Sequence, residues 1–337
     1  MSLPNGFGMQ KAVIVCCIES GPLEAQVSRL ARSIRKYGGQ LSDAPIVAVR
    51  PRLGPSIART TRQALDKLEV EVVERRVNRT FAWQHYTNKA HALLVAEEVA
   101  LGTQYIWLDS DVMILADPSD HLILRPGEDF AACAPDRGAI GSSGPEDPND
   151  AIWHRACGAL GVDVAGLPWV TTCTEGSRIR FYLNSGVFTY GRATGFADSY
   201  ADDCIRYLEA KTSKTHSEVH FSDQIVLGIC AHRMGLNWKL LPHSHNYACH
   251  SELSHWLKAD ELLQARILHY HDMMEPRHWL NLLGMITAAG HPLRNDFEKL
   301  ESISDPSSYF AKSAREVLRI LRGAKRRKYY AACGFTK

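Results

Sequence analysis

The stretch YIWLDSD, residues 105–111, joins four apolar residues directly to two carboxylates. Its apolar part predicts a buried strand that ends where Asp109 and Asp111 begin a turn. Unpaired charges at the end of a buried strand are costly, so both carboxylates need a partner or water. The pattern leaves two interpretations open. Either the carboxylates bind a divalent cation such as Mg²⁺ or Mn²⁺, or one caps the turn and the other faces solvent.

Strand patterns and helical spacing alternate on both sides of this stretch. The predicted strands are residues 11–18, 45–49, 68–73, 105–108, 180–190, 238–241 and 267–270, and the predicted helices are residues 23–37, 87–100, 196–208 and 222–235, the last with Ser222 as its N-cap. Such alternation is typical of βαβ units around a mainly parallel sheet, which binds its ligands at the carboxyl ends of the strands. We therefore predict an α/β fold with a central sheet flanked by helices.

The composition indicates a folded chain with a large core, because 45% of its 337 residues are hydrophobic and 23% are charged. A formal net charge of only +2 argues against a nucleic-acid partner. Nine cysteines without paired CxxC motifs favour reduced thiols and a cytoplasmic location. No Ser/Gly-rich or Pro-rich linker divides the chain, so we expect one continuous domain with C-terminal additions.

A run of basic residues occupies positions 319–328 near the C-terminal end. One interpretation is the solvated end of a helix. The other is a surface that rests peripherally on an anionic membrane, where Leu318, Ile320 and Leu321 would supply apolar contacts.

Four segments follow one another in a set order: YIWLDSD, a glycine-bearing strand at 181–190 with Asn184, Ser222-Asp223-Gln224, and Ile267-Leu268-His269-Tyr270. This order resembles the GT-A glycosyltransferases related to glycogenin and the bacterial lipopolysaccharide galactosyltransferases. The resemblance covers roughly residues 11–280 and implies a Rossmann-like GT-A domain there. Residues 1–10 would then be an N-terminal tail, and residues 281–337 a C-terminal helical extension with a basic end.

The resemblance implies a metal site made by Asp109, Asp111 and His269, since relatives bind Mn²⁺ through the two aspartates and a late histidine that precedes an aromatic residue. Imidazole and carboxylate together suit Mn²⁺, with Mg²⁺ as the alternative ion. Two alternatives stay open at this point. His269 could be a core histidine with one hydrogen-bonded ring nitrogen, and His271 competes with it as the third ligand.

Three further residues are implied to bind the donor. Lys89 matches a lysine that reaches toward the donor in relatives, and Ser110 lies between the two aspartates. Where relatives hold the uracil after the first strand, this chain has Glu19, which could accept a hydrogen bond from a base. The alternative for Lys89 is a solvated surface lysine.

The resemblance also implies catalytic positions at Asn184, Asp223 and Gln224, which match residues near the reacting carbon of the sugar. Asn184 could instead bond to a neighbouring backbone, and an acid in the first turn of a helix is favourable without any function.

The function implied is transfer of a sugar, with retention at the anomeric carbon, from a nucleotide diphosphate donor to an acceptor seated against residues 136–174. A UDP-sugar is favoured as the donor, and a GDP-sugar is the alternative. Two other classes remain open: a haloacid-dehalogenase-like phosphatase with Asp109 as nucleophile, and a non-catalytic module that binds nucleotide sugars.

Overall fold

The computed structural model describes residues 12–252 and 257–335, so the expected N-terminal tail, residues 1–10, lies outside the described residues. The strands are β1 (Ala12–Cys17), β2 (Ile46–Arg50), β3 (Val70–Glu74), β4 (Gln104–Leu108), β5 (Val112–Ile114), β6 (Phe130–Cys133), β7 (Trp169–Thr171), β8 (Arg178–Arg180), β9 (Asn184–Gly191), β10 (Trp238–Leu241), β11 (Tyr247–Ala248) and β12 (Ile267–His269). The helices are α1 (Pro22–Tyr37), α2 (Arg59–Asp66), α3 (Asn88–Val99), α4 (Ser119–Leu122), α5 (Asp150–Leu160), α6 (Phe196–Ala210), α7 (His216–His220), α8 (Ser222–Arg233), α9 (Ala259–Gln264), α10 (Trp279–Ala288), α11 (Arg294–Phe297) and α12 (Tyr309–Ala332).

The central sheet has seven strands in the order β10-β6-β9-β4-β1-β2-β3. Parallel pairs join β1 to β2 and β4, β2 to β3, and β6 to β10. Strand β9 runs antiparallel to both of its neighbours, β4 and β6. The predicted mainly parallel sheet is therefore confirmed, with β9 as the one strand of this sheet that runs against the others.

Helices cover both faces of the central sheet, which explains why β1 is apolar throughout. Val13 and Val15 face one core, which also contains residues of α3, α5, α6 and α8. Ile14 and Cys16 face the other core, which contains residues of α1 and α2. A parallel strand buried on both faces has no solvent side, so its sequence shows no polar alternation.

A smaller sheet, in the order β11-β12-β5, adjoins the aspartate-containing turn. Strand β12 pairs antiparallel with β5, so that His269 lies opposite Val112. Met113 of β5, Tyr247 of β11 and Leu268 of β12 share a third core with residues from α9, α10 and α11. This sheet brings the end of β12 next to the end of β4.

Two local predictions were wrong. The strand predicted over residues 180–190 is two strands in different sheets, since β8 pairs with β7 while β9 joins the central sheet. The connecting residues 181–183 are all buried, so their apolar pattern conceals the break. Ser222 is not an N-cap: Phe221 holds that position, and the Ser222 hydroxyl accepts a hydrogen bond from the Gln84 side chain (3.1 Å).

The C-terminal segment shares cores with the rest of the molecule. A boundary at residue 280 would divide α10, whose Leu282 and Ile286 share a core with Tyr270. At the far end of α12, Tyr329 packs into the core of the central sheet. Residues 281–335 thus depend on the body of the protein for their burial.

Candidate active site

The aspartate-containing turn is held between the central sheet and the smaller sheet. The Asp109 backbone N–H donates to the Gly186 carbonyl of β9 (2.8 Å). The Tyr270 backbone N–H, just after β12, donates to the Asp111 carbonyl (3.0 Å). These two bonds fix both carboxylates against β9 and β12, so residues far apart in sequence converge at the carboxyl end of β4.

Asp111, His269 and His271 form a cluster of metal-ligating side chains, with ligand atoms that all lie within 4.8 Å of one another. The His269 Nε2 atom is 3.3 Å from an Asp111 carboxylate oxygen, and the His271 Nδ1 atom is 3.9 Å from the other. The two imidazole rings stack with centroids 3.8 Å apart. His271 has a left-handed backbone (φ 45°), which non-glycine residues adopt rarely and mostly where the surroundings impose it.

The orientation of His269 is set by two neighbours. Its Nδ1 atom lies 2.9 Å from the Asn246 side-chain oxygen, so Nδ1 carries the proton and Nε2 faces Asp111. Gly186 leaves the space that the ring occupies, since a Cβ atom there would lie 2.5 Å from the His269 Cε1 atom. His269 is thus a buried histidine with one ring nitrogen hydrogen-bonded and the other directed at a carboxylate.

The charges in this cluster perturb one another. Burial alone would raise the pKa of Asp111, but the adjacent His269 and its hydrogen bond hold it well below its usual range. Burial alone would lower the pKa of His269, but Asp111 raises it. Burial, together with neighbouring His269, lowers the pKa of His271 to about 3, so its ring is neutral at ordinary pH and able to bind a metal.

Asp109 is not part of that cluster. One of its carboxylate oxygens accepts a hydrogen bond from the Trp107 indole (2.7 Å) and lies 3.3 Å from the Lys89 ammonium. Its other oxygen accepts no hydrogen bond from the described residues and belongs to a side chain that lines the cleft. Burial raises the pKa of Asp109 despite the proximity of Lys89.

Lys89 is buried beneath the cleft and is not a solvated surface residue. Its ammonium donates to the Ser185 carbonyl and hydroxyl (2.6 Å each) and lies 3.1 Å from Asp223. Burial alone would lower the pKa of Lys89, but Asp109 and Asp223 raise it. Lys89 therefore neutralises buried Asp223 and partly exposed Asp109 from below the cleft, and direct contact with a donor stays a prediction.

A cleft of about 380 Å³ opens above these groups. Asn184 and Gln224 both line it. The Asn184 side-chain oxygen accepts from the Gly186 backbone N–H (2.8 Å), and the Gln224 oxygen accepts from the Tyr182 hydroxyl (2.7 Å). With both amide oxygens engaged, the NH₂ groups are left to donate to a ligand in the cleft.

Four predicted residues lie away from the cleft lining. Besides Lys89, Asp223 is buried and accepts from the Ser185 hydroxyl (2.6 Å). Ser110 donates to the Gln26 side chain (2.9 Å). Glu19, at the carboxyl end of β1, accepts hydrogen bonds from Arg52 and from Asn88 (2.9 Å). The predicted roles of these residues in donor binding or catalysis remain predictions.

Sequence reasoning missed several residues of the site. Asn246 orients His269, and Tyr182 orients Gln224, although the sequence assigned a role to neither residue. Tyr86 and His220 form one wall of the cleft, with ring centroids 4.9 Å apart. The sequence gave no signal for this pair, because Tyr86 and His220 are far apart in the chain and only the fold brings them together.

Both the sequence and the fold are similar to those of known glycosyltransferases. The family model described as the Rhodobacterales glycosyltransferase domain matches residues 14–235. No curated protein sequence matches the chain. Among solved structures, the galactosyltransferase LgtC, in complex with donor and acceptor sugar analogs, has a TM-score of 0.50 at 13% identity, covering 90% of this chain and 99% of that chain.

Two further solved structures are less similar by TM-score. The bifunctional glycosyltransferase WbbM, in its apo form, has a TM-score of 0.47 at 11% identity, covering 88% of this chain and 53% of that chain. The glycosyltransferase GlyE of Streptococcus pneumoniae TIGR4 has a TM-score of 0.45 at 14% identity, covering 89% of this chain and 66% of that chain. This chain therefore spans about half the length of WbbM and about two thirds of GlyE. The likeness to LgtC supports the GT-A fold.

Proposed function

The chain belongs to the family of the Rhodobacterales glycosyltransferase domain, and we propose that it transfers a sugar from a nucleotide diphosphate donor with the help of a divalent cation. A UDP-sugar is the favoured donor, and a GDP-sugar is the alternative. The acceptor would lie against residues 136–174, of which Asp136, Arg137 and Ala139 line the cleft.

The observation that carries this proposal is the convergence of Asp111, His269 and His271 with Asn184 and Gln224 on one cleft. Carboxylate oxygen and imidazole nitrogen are donors that suit Mn²⁺, and Mg²⁺ is the alternative ion. Asp111 and His269 would be two of the ligands. We propose Asp109 as the third, because its second oxygen is unengaged and a second carboxylate balances the charge of a divalent ion better than neutral His271 does.

A bound cation would neutralise negative charge on the departing nucleotide diphosphate. The side chains of this protein perform the remaining work. Lys89 holds Asp109 in place from below, and Asn246 keeps the His269 Nε2 atom directed at Asp111. The amide groups of Asn184 and Gln224 would donate to hydroxyls of the sugar and orient its reacting carbon.

We propose retention at the anomeric carbon, since the Asn184 and Asp223-Gln224 pattern resembles that of retaining relatives. Asp223 is buried against Lys89 and Ser185, where it would position Ser185 and not act as a base. An NMR assay that resolves the anomers of the first product formed is the test, and an inverted product would exclude retention alone.

Metal-dependent turnover tests the proposal as a whole. With a panel of UDP- and GDP-sugars, Asp111→Asn and Asp109→Asn should each lower Mn²⁺-dependent transfer or donor hydrolysis by a factor of at least about 100, because each removes a charged ligand. Asp202→Asn, which neutralises an exposed acid on α6, is the matched control and should retain full activity. Undiminished Mn²⁺-dependent turnover in both cleft variants would refute the metal site.

The affinity for Mn²⁺ tests whether Asp109 or His271 is the third metal ligand. His271→Asn should change the dissociation constant of Mn²⁺ by less than about threefold, since asparagine tolerates the left-handed backbone and the proposed ligands stay intact. Asp109→Asn should weaken binding at least about tenfold. The opposite order of effects, measured by electron paramagnetic resonance of free Mn²⁺, would assign the position to His271.

The location of the protein is part of the proposal. No helix within residues 12–252 and 257–335 has the length and apolarity needed to cross a membrane. We propose a cytoplasmic enzyme, because its cysteines are unpaired thiols, with peripheral contact of residues 319–328 to anionic lipid. Ile320 and Leu321 are exposed on α12, while Leu318 is half-buried. Ile320→Ser/Leu321→Ser should move the protein from the membrane fraction to the cytosolic fraction, and Leu263→Ser, at an exposed leucine of α9, should not.

The phosphatase alternative has no support from the family match. Strands β1, β2 and β3 precede β4 in the chain, whereas a haloacid-dehalogenase domain opens with its nucleophile-bearing strand. We therefore expect that an attempt to trap a phosphoaspartate at Asp109 with a phosphate ester will fail.

A further inference from the structure

A second pocket, of about 390 Å³, lies between α12 and the segments that follow β2 and β3. Its lining includes five arginines, Arg52, Arg319, Arg322, Arg326 and Arg327, together with Trp83, His85, Ile320 and Gly323. No carboxylate lines it within the described chain, and it shares no lining residue with the catalytic cleft. It is therefore a separate, strongly cationic site.

Most of these guanidinium groups have no anionic partner. Arg52 is paired with Glu19, and Arg319 with Glu316 on its own helix. Arg322, Arg326 and Arg327 form no ion pair with the part of the chain that the structure describes. Arg322 is held instead by the Leu53 carbonyl, and burial together with nearby Arg52 lowers its pKa.

The pocket is built on anchored structure. At its C-terminal end, α12 is fixed by Tyr329, which donates to the Leu208 carbonyl (2.9 Å) and packs on Trp83 with ring centroids 4.7 Å apart. At its N-terminal end, Arg315 pairs with Asp305 and donates to the Ser307 hydroxyl (2.7 Å). Helix α12, which forms one wall of the pocket, is thus held at both ends without a ligand.

We propose that this pocket binds a phosphate group. Arginine side chains gathered around one pocket repel one another, and a bound anion removes that repulsion. A carboxylate offers one charge and two oxygens, enough for one guanidinium fork. Three unpaired guanidiniums match a phosphate ester, whose several oxygens accept charge-assisted hydrogen bonds from more than one fork.

The phosphate could be carried by a soluble ester or by a lipid headgroup. Helix α12 contains eight basic residues and one acidic residue, and it exposes Phe310, Val317, Ile320 and Leu321. Ile320 also lines the pocket, so apolar and cationic surfaces meet there. The binding site does not depend on the proposed sugar transfer, and the two can fail separately.

The test compares two double variants of the full chain that remove the same charge from the same helix. Arg326→Gln/Arg327→Gln removes two pocket guanidiniums that make no side-chain hydrogen bond to the described residues, so folding should be unaffected. Lys312→Gln/Lys328→Gln removes two exposed lysines outside the pocket. Binding is measured by calorimetry with inorganic phosphate at constant ionic strength, and by sedimentation with vesicles of phosphatidylcholine and phosphatidic acid in equal parts.

We expect the arginine variant to weaken binding at least about tenfold and the lysine variant less than about twofold. That pattern with inorganic phosphate identifies a soluble ester as sufficient. The same pattern with vesicles alone identifies a lipid headgroup. Equal losses in both variants would show diffuse attraction and overturn the site, as would no binding of either probe by the wild type.

A third variant covers the case in which the arginine double variant is poorly folded. Arg326→Gln removes one of the three unpaired pocket guanidiniums from an exposed side chain, so the melting temperature of this variant in chloride buffer should match that of the wild type. Its phosphate affinity should fall at least about threefold, and an unchanged affinity would also contradict the proposal.

Discussion

At the scale of single residues, Gly186 shows how a missing side chain builds the site. It lies in β9, donates its backbone N–H to Asn184, and accepts from the backbone of Asp109. The His269 ring packs directly against its Cα atom, in the space that any Cβ would fill. The direction of the His269 Nε2 atom therefore depends on a position with no chemistry of its own.

Replacing this glycine should displace the histidine. In Gly186→Ala, the new methyl group would lie within 2.7 Å of two ring atoms of His269, forcing the ring away from Asp111. We expect the dissociation constant of Mn²⁺ to rise about 10- to 100-fold, as it does when the support of a metal-binding histidine is lost. Gly284→Ala, at a position of α10 with open space around it, is the control and should leave Mn²⁺ binding unchanged.

Asn246 acts on the same ring through its Nδ1 atom. Its side-chain oxygen selects the histidine tautomer, so that Nε2 keeps its lone pair for a metal. Residues of this kind touch no substrate, yet they determine whether the ligand atoms converge.

At the scale of elements, a glycine allows α8 to pack closely against the backbone that links β8 to β9. Gly228 faces Phe181 in the link between β8 and β9, and a Cβ atom there would lie 2.1 Å from the Phe181 carbonyl oxygen. That approach places the first turn of α8 against the cleft, where Gln224 joins the lining and Asp223 is buried behind it. The glycine therefore sets the position of catalytic candidates little more than one turn away.

Helix propensity and packing make opposite predictions for Gly228→Ala. Propensity alone would stabilise the helix by about 1 kcal/mol. The clash is with backbone and cannot be relieved by a side-chain rotation, so we expect a net loss of about 1–3 kcal/mol in the free energy of unfolding. Urea denaturation measures it, with Gly284→Ala in open space as the helix-matched control that should not destabilise. A stabilised Gly228→Ala protein would contradict the close approach.

The start of α12 depends on an ion pair that acid should break. Burial alone would raise the pKa of Asp305, but Arg315, together with hydrogen bonds from Ser307, lowers it to about 2. Because the folded pKa lies below the unfolded one, the contribution of the pair is complete at neutral pH and disappears as the pH falls toward about 2.

Asp305→Asn should therefore lower the free energy of unfolding by about 1 kcal/mol at neutral pH, a modest value because a quarter of each side chain is exposed to solvent. The difference from the wild type should shrink as the pH falls toward about 2. A deficit that is constant across this range, measured by denaturant titration at each pH, would mean that packing and not charge joins these residues.

At the scale of the whole molecule, the site is a junction between two sheets. The central sheet supplies Asp109 and Asn184, and the smaller sheet supplies His269, with α8 supplying Gln224. These side chains come from segments that are far apart in the sequence. A ligand that contacts them together should therefore stabilise the entire fold and not one segment.

Thermal unfolding should report this linkage. A donor nucleotide with Mn²⁺, at a concentration a hundredfold above its dissociation constant, should add about 2.7 kcal/mol to the free energy of unfolding. Asp111→Asn should lose the stabilisation, because the metal and the diphosphate bind together. A nucleotide-induced shift that persists in Asp111→Asn would place nucleotide binding elsewhere.

The local pattern was enough to predict the class of fold. Periodicity and apolar runs placed β1 and β4 to within about two residues, since a strand buried between helices must be apolar over its length. The turn after Leu108 was also visible, because two carboxylates directly after a buried strand are anomalous wherever they occur. The buried strands and this turn depend on residues that are adjacent in the chain, so the amino-acid sequence is sufficient to predict them.

Which side chains meet was decided by the tertiary structure. Tyr182 reaches Gln224, Asn246 reaches His269, and Lys89 lies under Asp223 at separations that no local pattern encodes. The break between β8 and β9 was hidden for the same reason, since apolar residues suit a buried turn as well as a strand. Burial and hydrogen bonding between distant segments depend on the packing of complete sheets and helices, and only the assembled fold specifies that packing.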